Sequence, residues 1–188
     1  MPLSKVIDAH ASQMRPDHGL SAHVVSVHGH GWQIVGEGTF NWSVFRFYRA
    51  KLLSESGTFD ETQPYILEIV YLRRITASQI AQITASEIKR MQFADTPDAH
   101  DLPDKWALEL EHMLPNVSLG DKLVGVFMPG KGVWFYDAHQ SLGHIQAPAF
   151  VKAFTAIWLD PQTRAPKLRD QLLGSTKASS TIPVGSPV

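Results

Sequence analysis

The chain of 188 residues contains no cysteine. That absence removes disulfides, zinc–thiolate sites, iron–sulfur clusters and a cysteine nucleophile together. It leaves the redox compartment open, because a periplasmic protein can also lack cysteine. Long apolar runs are missing too. No stretch approaches the ~18 residues that a membrane-spanning helix needs, and Met1 to Leu20 holds no apolar core of the kind that directs export. As written the sequence reads as cytoplasmic, with the periplasm as the alternative if a signal peptide has been removed. Excess charge of either sign is lacking: 17 Lys and Arg stand against 18 Asp and Glu, for a net charge of −1. The overall field therefore recruits neither nucleic acid nor an anionic membrane, and no basic run or RNA-binding aromatic motif is present. There is no G-x-S-x-G elbow to place a serine nucleophile. Gly36-Glu37-Gly38 lies among strand residues and opens no helix, unlike a dinucleotide-binding turn.

What the sequence does have is strong hydrophobic patterning, densest from Asp121 to Gly174. Lys122 to Met128 reads as a strand, Pro129 to Gly132 as a tight turn, and Val133 to Tyr136 as a returning strand. Asp137 to Gly143 reads as a further turn. From Pro148 a helix carries Phe150, Val151, Phe154, Ile157 and Trp158 on one face, and Asp160-Pro161 stops it. Pro166 suits the first turn of a short helix with Leu168, Leu172 and Leu173, and Gly174 suits its C′ position. A helix so rich in aromatics needs a sheet face to cover.

Upstream, Val24, Val25 and Val27 predict a strand over Ser21 to His28, a turn follows at Gly29 to Gly31, and Trp32 to Val35 is extended. Gly36 to Leu53 alternates with period two and predicts one long strand, and Tyr65 to Leu72 another. Thr76-Ala-Ser-Gln79 and Thr84-Ala-Ser-Glu87 both match a capping box, within a helix whose apolar face is Ile80, Ile83, Ile88 and Met91. Asp101 to Leu114 predicts a helix lined by Trp106, Leu110 and Met113. The organisation is a flexible arm over 1–20, a single domain over 21–174 and a disordered tail over 175–188. Five to seven strands joined mostly by short turns, with helices grouped late, predict an α+β fold. Its large antiparallel sheet is covered on one face by a layer of helices.

Several constellations dissolve on inspection. Gly125 to Gly132 approximates a phosphate-binding loop, but Gly132 replaces the metal-binding hydroxyl and a strand follows where a helix is required. The nine histidines include His28 and His30, which would share a strand face, yet no spacing imposes a metal site. Glu68 inside an apolar strand reads as one half of a salt bridge to an Arg across the sheet. Glu109 and Glu111 face different ways on their helix. What remains is an aromatic set, Trp42, Phe47, Tyr48, Phe150, Phe154 and Trp158, meeting where the late helix covers the sheet. Such a meeting is ordinarily core, and it can also leave a cleft for an apolar ligand.

Gly36-Glu-Gly-Thr-Phe-Asn-Trp42 leading to Phe47-Tyr-Arg-Ala-Lys-Leu-Leu53 resembles the strand pair of chalcone isomerase-like proteins. So do Leu67 to Ile75, Phe127 to Tyr136, and Phe154 to Thr163 with Leu168 to Gly174. The resemblance covers Val25 to Gly174 and is nearest to the bacterial branch. It implies an open-faced β-sandwich with a cleft between sheet and helices. Chalcone isomerases close a flavanone ring by attack of a phenolate on an enone, and an Arg stabilises the developing enolate. Here that Arg position falls between Thr39 and Asn41 and holds none. The Thr position of the next strand is Tyr48, the helix positions fall near Ile80 and Glu87, and the late-helix pair is Ile157 and Trp158. With the polar positions lost, the resemblance implies a protein without chalcone isomerase activity. Such a protein binds an apolar small molecule, fatty acid-like or aromatic, among Asn41, Tyr48, Ile80, Glu87, Ile157 and Trp158. The alternatives are an isomerase or lyase on an unsaturated carbonyl compound, with Arg46, Arg49 or Tyr48 in the catalytic role, and an interaction protein with a filled cleft. Other members bind fatty acids through an Arg and a Tyr, of which Tyr48 supplies one half. Some fungal members bind haem. No cofactor or metal is expected from the residues themselves, and haem enters only through the resemblance.

Overall fold

The structure is a computed structural model and describes residues 18–91 and 100–175. Most of the expected arm and nearly all of the expected tail lie outside the described residues. Strands β1 (Gln33–Trp42), β2 (Phe45–Ser54), β3 (Tyr65–Tyr71), β4 (Lys122–Met128), β5 (Gly132–Tyr136) and β6 (Ser141–Ile145) form one sheet in sequence order. Every neighbouring pair is antiparallel. The described helices are α1 (Ala22–His28), α2 (Ala77–Met91), α3 (Leu102–Met113), α4 (Pro148–Leu159) and α5 (Pro166–Leu172).

Period-two alternation sorts the strands onto two faces. Leu52, Leu67, Phe127 and Phe135 meet the layer made by α2, α3, α4 and α5. Leu53, Ile66, Val126 and Tyr136 point the other way, where α1 with Leu20 and Trp32 covers a smaller patch. The aromatic stripe of α4 holds the main layer together. Phe150 stacks on Phe154 with centroids 4.9 Å apart, and Phe154 stacks on Phe127 at 5.8 Å. Burying each such side chain contributes on the order of 2–3 kcal/mol, an upper figure for a realistic unfolded chain.

Gly36 and Gly38 are explained by α5, which lies directly on β1. A Cβ on Gly36 would run into the carbonyls of Gln171 and Leu172, and one on Gly38 into the Gln171 side chain. Only glycine permits that approach. Glu68 is buried on the back of the sheet, 3.2 Å from Lys51 Nζ and 2.9 Å from Lys122 Nζ. The salt bridge is therefore present, with lysines rather than an arginine. Both ammonium groups also donate outward, Lys51 to the His18 carbonyl and Lys122 to the Gly19 carbonyl.

Four local expectations are corrected. Residues 22–28 form a helix, because the Ser21 hydroxyl caps the Val24 amide, Gly29 closes the helix at φ 83° and Val24 and Val25 are buried. Tertiary packing outweighs the β-preference of valine, and His28 and His30 do not share a strand face. The span from Gly36 to Leu53 is a hairpin, its turn made by Ser43 at φ 57° and Val44. Ser141 to Ile145 is a short edge strand where a turn is expected. Only the first capping box caps: the Gln79 amide donates to Thr76 Oγ1 and the Thr76 amide to Gln79 Oε1. Thr84 sits mid-helix and donates its hydroxyl to the Ile80 carbonyl.

Candidate functional site

Where α2 and the C-terminal end of α4 stand off from β1, β2 and β3, the layer opens into a cleft of about 510 Å³. The sheet supplies Phe40, Trp42, Phe47, Tyr48, Ile69 and Tyr71; α2 supplies Ile80, Ile83, Thr84 and Glu87; α4 supplies Ile157 and Trp158. A hollow of about 60 Å³ continues inward between Leu67, Leu123, Phe127 and Phe154, sharing Tyr71, Ile80 and Trp158 with the cleft. An elongated apolar path thus runs from an open mouth towards the core.

The wall is set by register. Phe40 pairs with Tyr48, and Tyr48 pairs with Tyr71. Phe40 stacks on the Tyr48 ring at 5.1 Å, and Tyr71 meets it edge-on at 6.2 Å. Trp158 lies one helical turn beyond Phe154 and donates its indole N–H to the Tyr48 hydroxyl at 3.0 Å. The Tyr48 oxygen is thereby an acceptor, and its own O–H remains free to donate. Tyr71 Oη makes no hydrogen bond among the described residues. Burial pushes both phenols well above their ordinary pKa. Glu87 reinforces the rise at Tyr48 against the opposing Trp158 hydrogen bond, and Tyr48 reinforces it at Tyr71. At neutral pH both are therefore uncharged donors.

Among the described residues the charged side chains of the lining are the buried Glu87 and the exposed Arg164. Glu87 accepts from Arg90 Nε at 3.1 Å and Nη2 at 2.9 Å, and its other oxygen lies 3.3 Å from Arg164 Nη1. Arg90 also donates to the Gln162 carbonyl, and Thr163 donates its hydroxyl to the Ile157 carbonyl at 2.6 Å. These bonds tie α2 to the 160–165 loop and hold the wall in place. Among the described residues Arg164 is the only cationic side chain in the lining, and it shares the Glu87 carboxylate with Arg90.

Of the residues singled out in the sequence, Tyr48, Ile80, Glu87, Ile157 and Trp158 are brought together around this cleft. Asn41, Arg46 and Arg49 are exposed and lie outside its lining. Arg49 follows Tyr48 and so points to the opposite face. Asn41 follows the cleft-lining Phe40 and so faces away, and a register shift that leaves Phe47 unpaired sets Arg46 opposite Asn41, also away from the cleft. Trp42 and Phe47 line the cleft, whereas Phe150 and Phe154 belong to the core. Tyr71 was legible from the alternation of β3 but carried no polar signal of its own. Arg164 follows the helix stop and has no local pattern to mark it.

A meander sheet with its main helical layer on one face and a cleft between them defines an open-faced β-sandwich. The family model described as chalcone isomerase-like matches residues 22–174, and the chain belongs to the chalcone isomerase-like family. It is 31% identical over 149 residues to an uncharacterized protein of Haemophilus influenzae, covering 79% of this chain and 71% of that one. Its fold is similar to the crystal structure of the Arabidopsis thaliana fatty-acid binding protein AtFAP1, with a TM-score of 0.62. That likeness covers 80% of this chain and 90% of the other at 6% identity, so it speaks for the fold alone.

Proposed function

We propose that this protein binds an elongated apolar small molecule, fatty acid-like or aromatic with one polar end, and does not close chalcone rings. The observation that carries the reading is an open cleft of about 510 Å³ whose wall is mainly apolar and carries two neutral phenols, Tyr48 and Tyr71, with free O–H donors. Apolar walls supply affinity, and a few placed donors supply orientation. The phenols donate to a ligand carbonyl or carboxylate oxygen, and the inner hollow takes the apolar end. Ring closure needs a fixed cation facing the developing enolate. Arg46 and Arg49 stand outside the cleft, and Arg164 is held by Glu87. The fatty-acid binding named for AtFAP1 agrees in kind with this reading.

Haem fits the lining poorly. Its iron takes His, Cys, Met or a tyrosinate, the described residues of the cleft wall include no His, Cys or Met, and both phenols resist ionisation.

Titration with cis-parinaric acid tests the proposal. Saturable binding of one molecule per chain is expected, and Ile80→Trp and Ile157→Trp, which fill the cleft from opposite sides, are expected to abolish it. Binding unaffected by both substitutions, or steady conversion of chalcone to flavanone, contradicts the reading.

A further inference from the structure

We infer that the tip of the β1–β2 hairpin is a docking surface for an anionic lipid bilayer. It sits at the mouth of the cleft, where an apolar ligand can pass between membrane and cleft without crossing water. The exchange role rests on the binding function proposed above; the docking surface rests on the hairpin itself.

The tip exposes Trp42 at 55%, Val44 at 85% and Phe45 at 53%. A two-residue turn is ordinarily made by Gly, Asn or Asp, which supply positive φ and meet water. Here Ser43 takes the left-handed conformation and Val44 stands in solvent, so the fold gains nothing from an apolar residue at that point. Across the opening, Ile83 of α2 is 59% exposed. Trp42 and Ile83 both line the cleft, so its two lips are apolar and outward-facing. Trp and Phe on a protruding edge suit the headgroup region, where an amphipathic ring has one side apolar and one side wet.

Charge selects the partner. Arg46 and Arg73 flank the tip and Arg74 follows Arg73 in the chain, all exposed. None of them forms an ion pair among the described residues. The Arg73 guanidinium lies 4.8 Å over the Phe45 ring and 5.1 Å over the Phe47 ring, so it shields the aromatics without neutralising its charge. Arg46 faces Asn41 across the hairpin, a neutral neighbour. A net charge of −1 for the whole chain hides this local excess. Exposed apolar residues ringed by unpaired arginines match a surface of anionic lipid, in which the rings insert and the cations meet phosphate. A second copy docked through the same tip would bring arginines against arginines.

Flotation of the whole chain with phosphatidylglycerol–phosphatidylcholine vesicles, against vesicles of phosphatidylcholine alone, tests this. Wild type is expected to float with the anionic vesicles, and to be released as salt shortens the Debye length. Arg46→Gln with Arg74→Gln is expected to weaken partitioning about 25-fold, at roughly a factor of five for each cation near an anionic surface. Val44→Asp is expected to weaken it as strongly, while Lys152→Gln on α4 leaves it unchanged. None of Val44, Arg46 and Arg74 lines the cleft, so the affinity for cis-parinaric acid in solution is expected to hold while its transfer out of vesicles slows. Failure of wild type to bind anionic vesicles overturns the inference. So does binding that ignores the hairpin substitutions, or a dimer in solution that Val44→Asp dissociates. Hairpin-dependent docking without uptake of cis-parinaric acid overturns the exchange role and the cleft reading, and supports the docking surface.

Discussion

Substituting Tyr48→Phe isolates the one hydrogen bond among the described residues that joins sheet and helix across the cleft. The Tyr48 oxygen accepts from Trp158 Nε1 at 3.0 Å, and Trp158 is 7% exposed. The substitution keeps the ring stacked on Phe40 and removes the hydroxyl, which is the acceptor for the indole N–H and otherwise donates to no described residue. The indole N–H is then buried without a partner, which costs about 1–3 kcal/mol. For a domain of this size each kcal/mol lowers Tm by roughly 2–4 °C, so a fall of about 2–12 °C is expected in a thermal melt. Tyr48→Phe with Trp158→Phe closes the cycle. With donor and acceptor both gone, the double variant should be more stable than the two single losses add up to, by about 1–2 kcal/mol. A Tyr48→Phe protein as stable as wild type, with an additive double variant, refutes the reasoning. The bond would then contribute nothing that the open cleft does not already offer the indole N–H.

Gly36→Ala drives a methyl group into the Gln171 and Leu172 carbonyls. The expected loss is about 1–3 kcal/mol by chemical denaturation. Glu68→Gln leaves Lys51 and Lys122 without their counter-charge. The cost is expected near 2 kcal/mol, below the 3–5 kcal/mol of a fully buried pair because both ammonium groups can swing to water. Limited proteolysis should then cut near His18 and Gly19, whose carbonyls those lysines hold. All four tyrosines have pKa values raised by burial, Tyr65 to about 12. Ultraviolet titration of the folded protein should show little tyrosinate at pH 10. An unfolded tyrosine ionises near pH 10 while the folded one keeps its proton. The stability these groups contribute is therefore complete below pH 10 and falls as pH rises towards the folded values. Stability measured from pH 9 to 12 should decline, and less steeply in Tyr65→Phe.

The sheet was legible wherever alternation was strong. β3, β4 and β5 carry bulky residues on both faces, and each has one register that buries them. α4 was legible because its aromatics repeat at helical spacing up to a proline stop. α1 was not, because three valines outvote a cap made by one serine and one glycine, and only packing against Trp32 and Tyr136 decides the matter. The hairpin turn was hidden for a related reason. Ser43-Val44 is poor turn chemistry, which is also why its exposed valine carries a functional argument. For the cleft, Tyr48, Ile157 and Trp158 were accessible through the resemblance and their strand or helix face. Arg46 was misplaced because period-two counting cannot foresee a register shift at Phe40 and Asn41, whereas alternation alone already turns Arg49 from the face of Tyr48. Tyr71 and Arg164 enter the site through tertiary neighbours, which leave no mark on local sequence.

The central claim is that the cleft is a binding site for an apolar molecule. Native mass spectrometry of the freshly purified chain tests it most directly, followed by denaturation and identification of whatever is released. A mass above that of the bare chain by one fatty acid-like or aromatic molecule is expected, lost in Ile80→Trp. A bare mass that stays bare after incubation with fatty acids and flat aromatic compounds would contradict it.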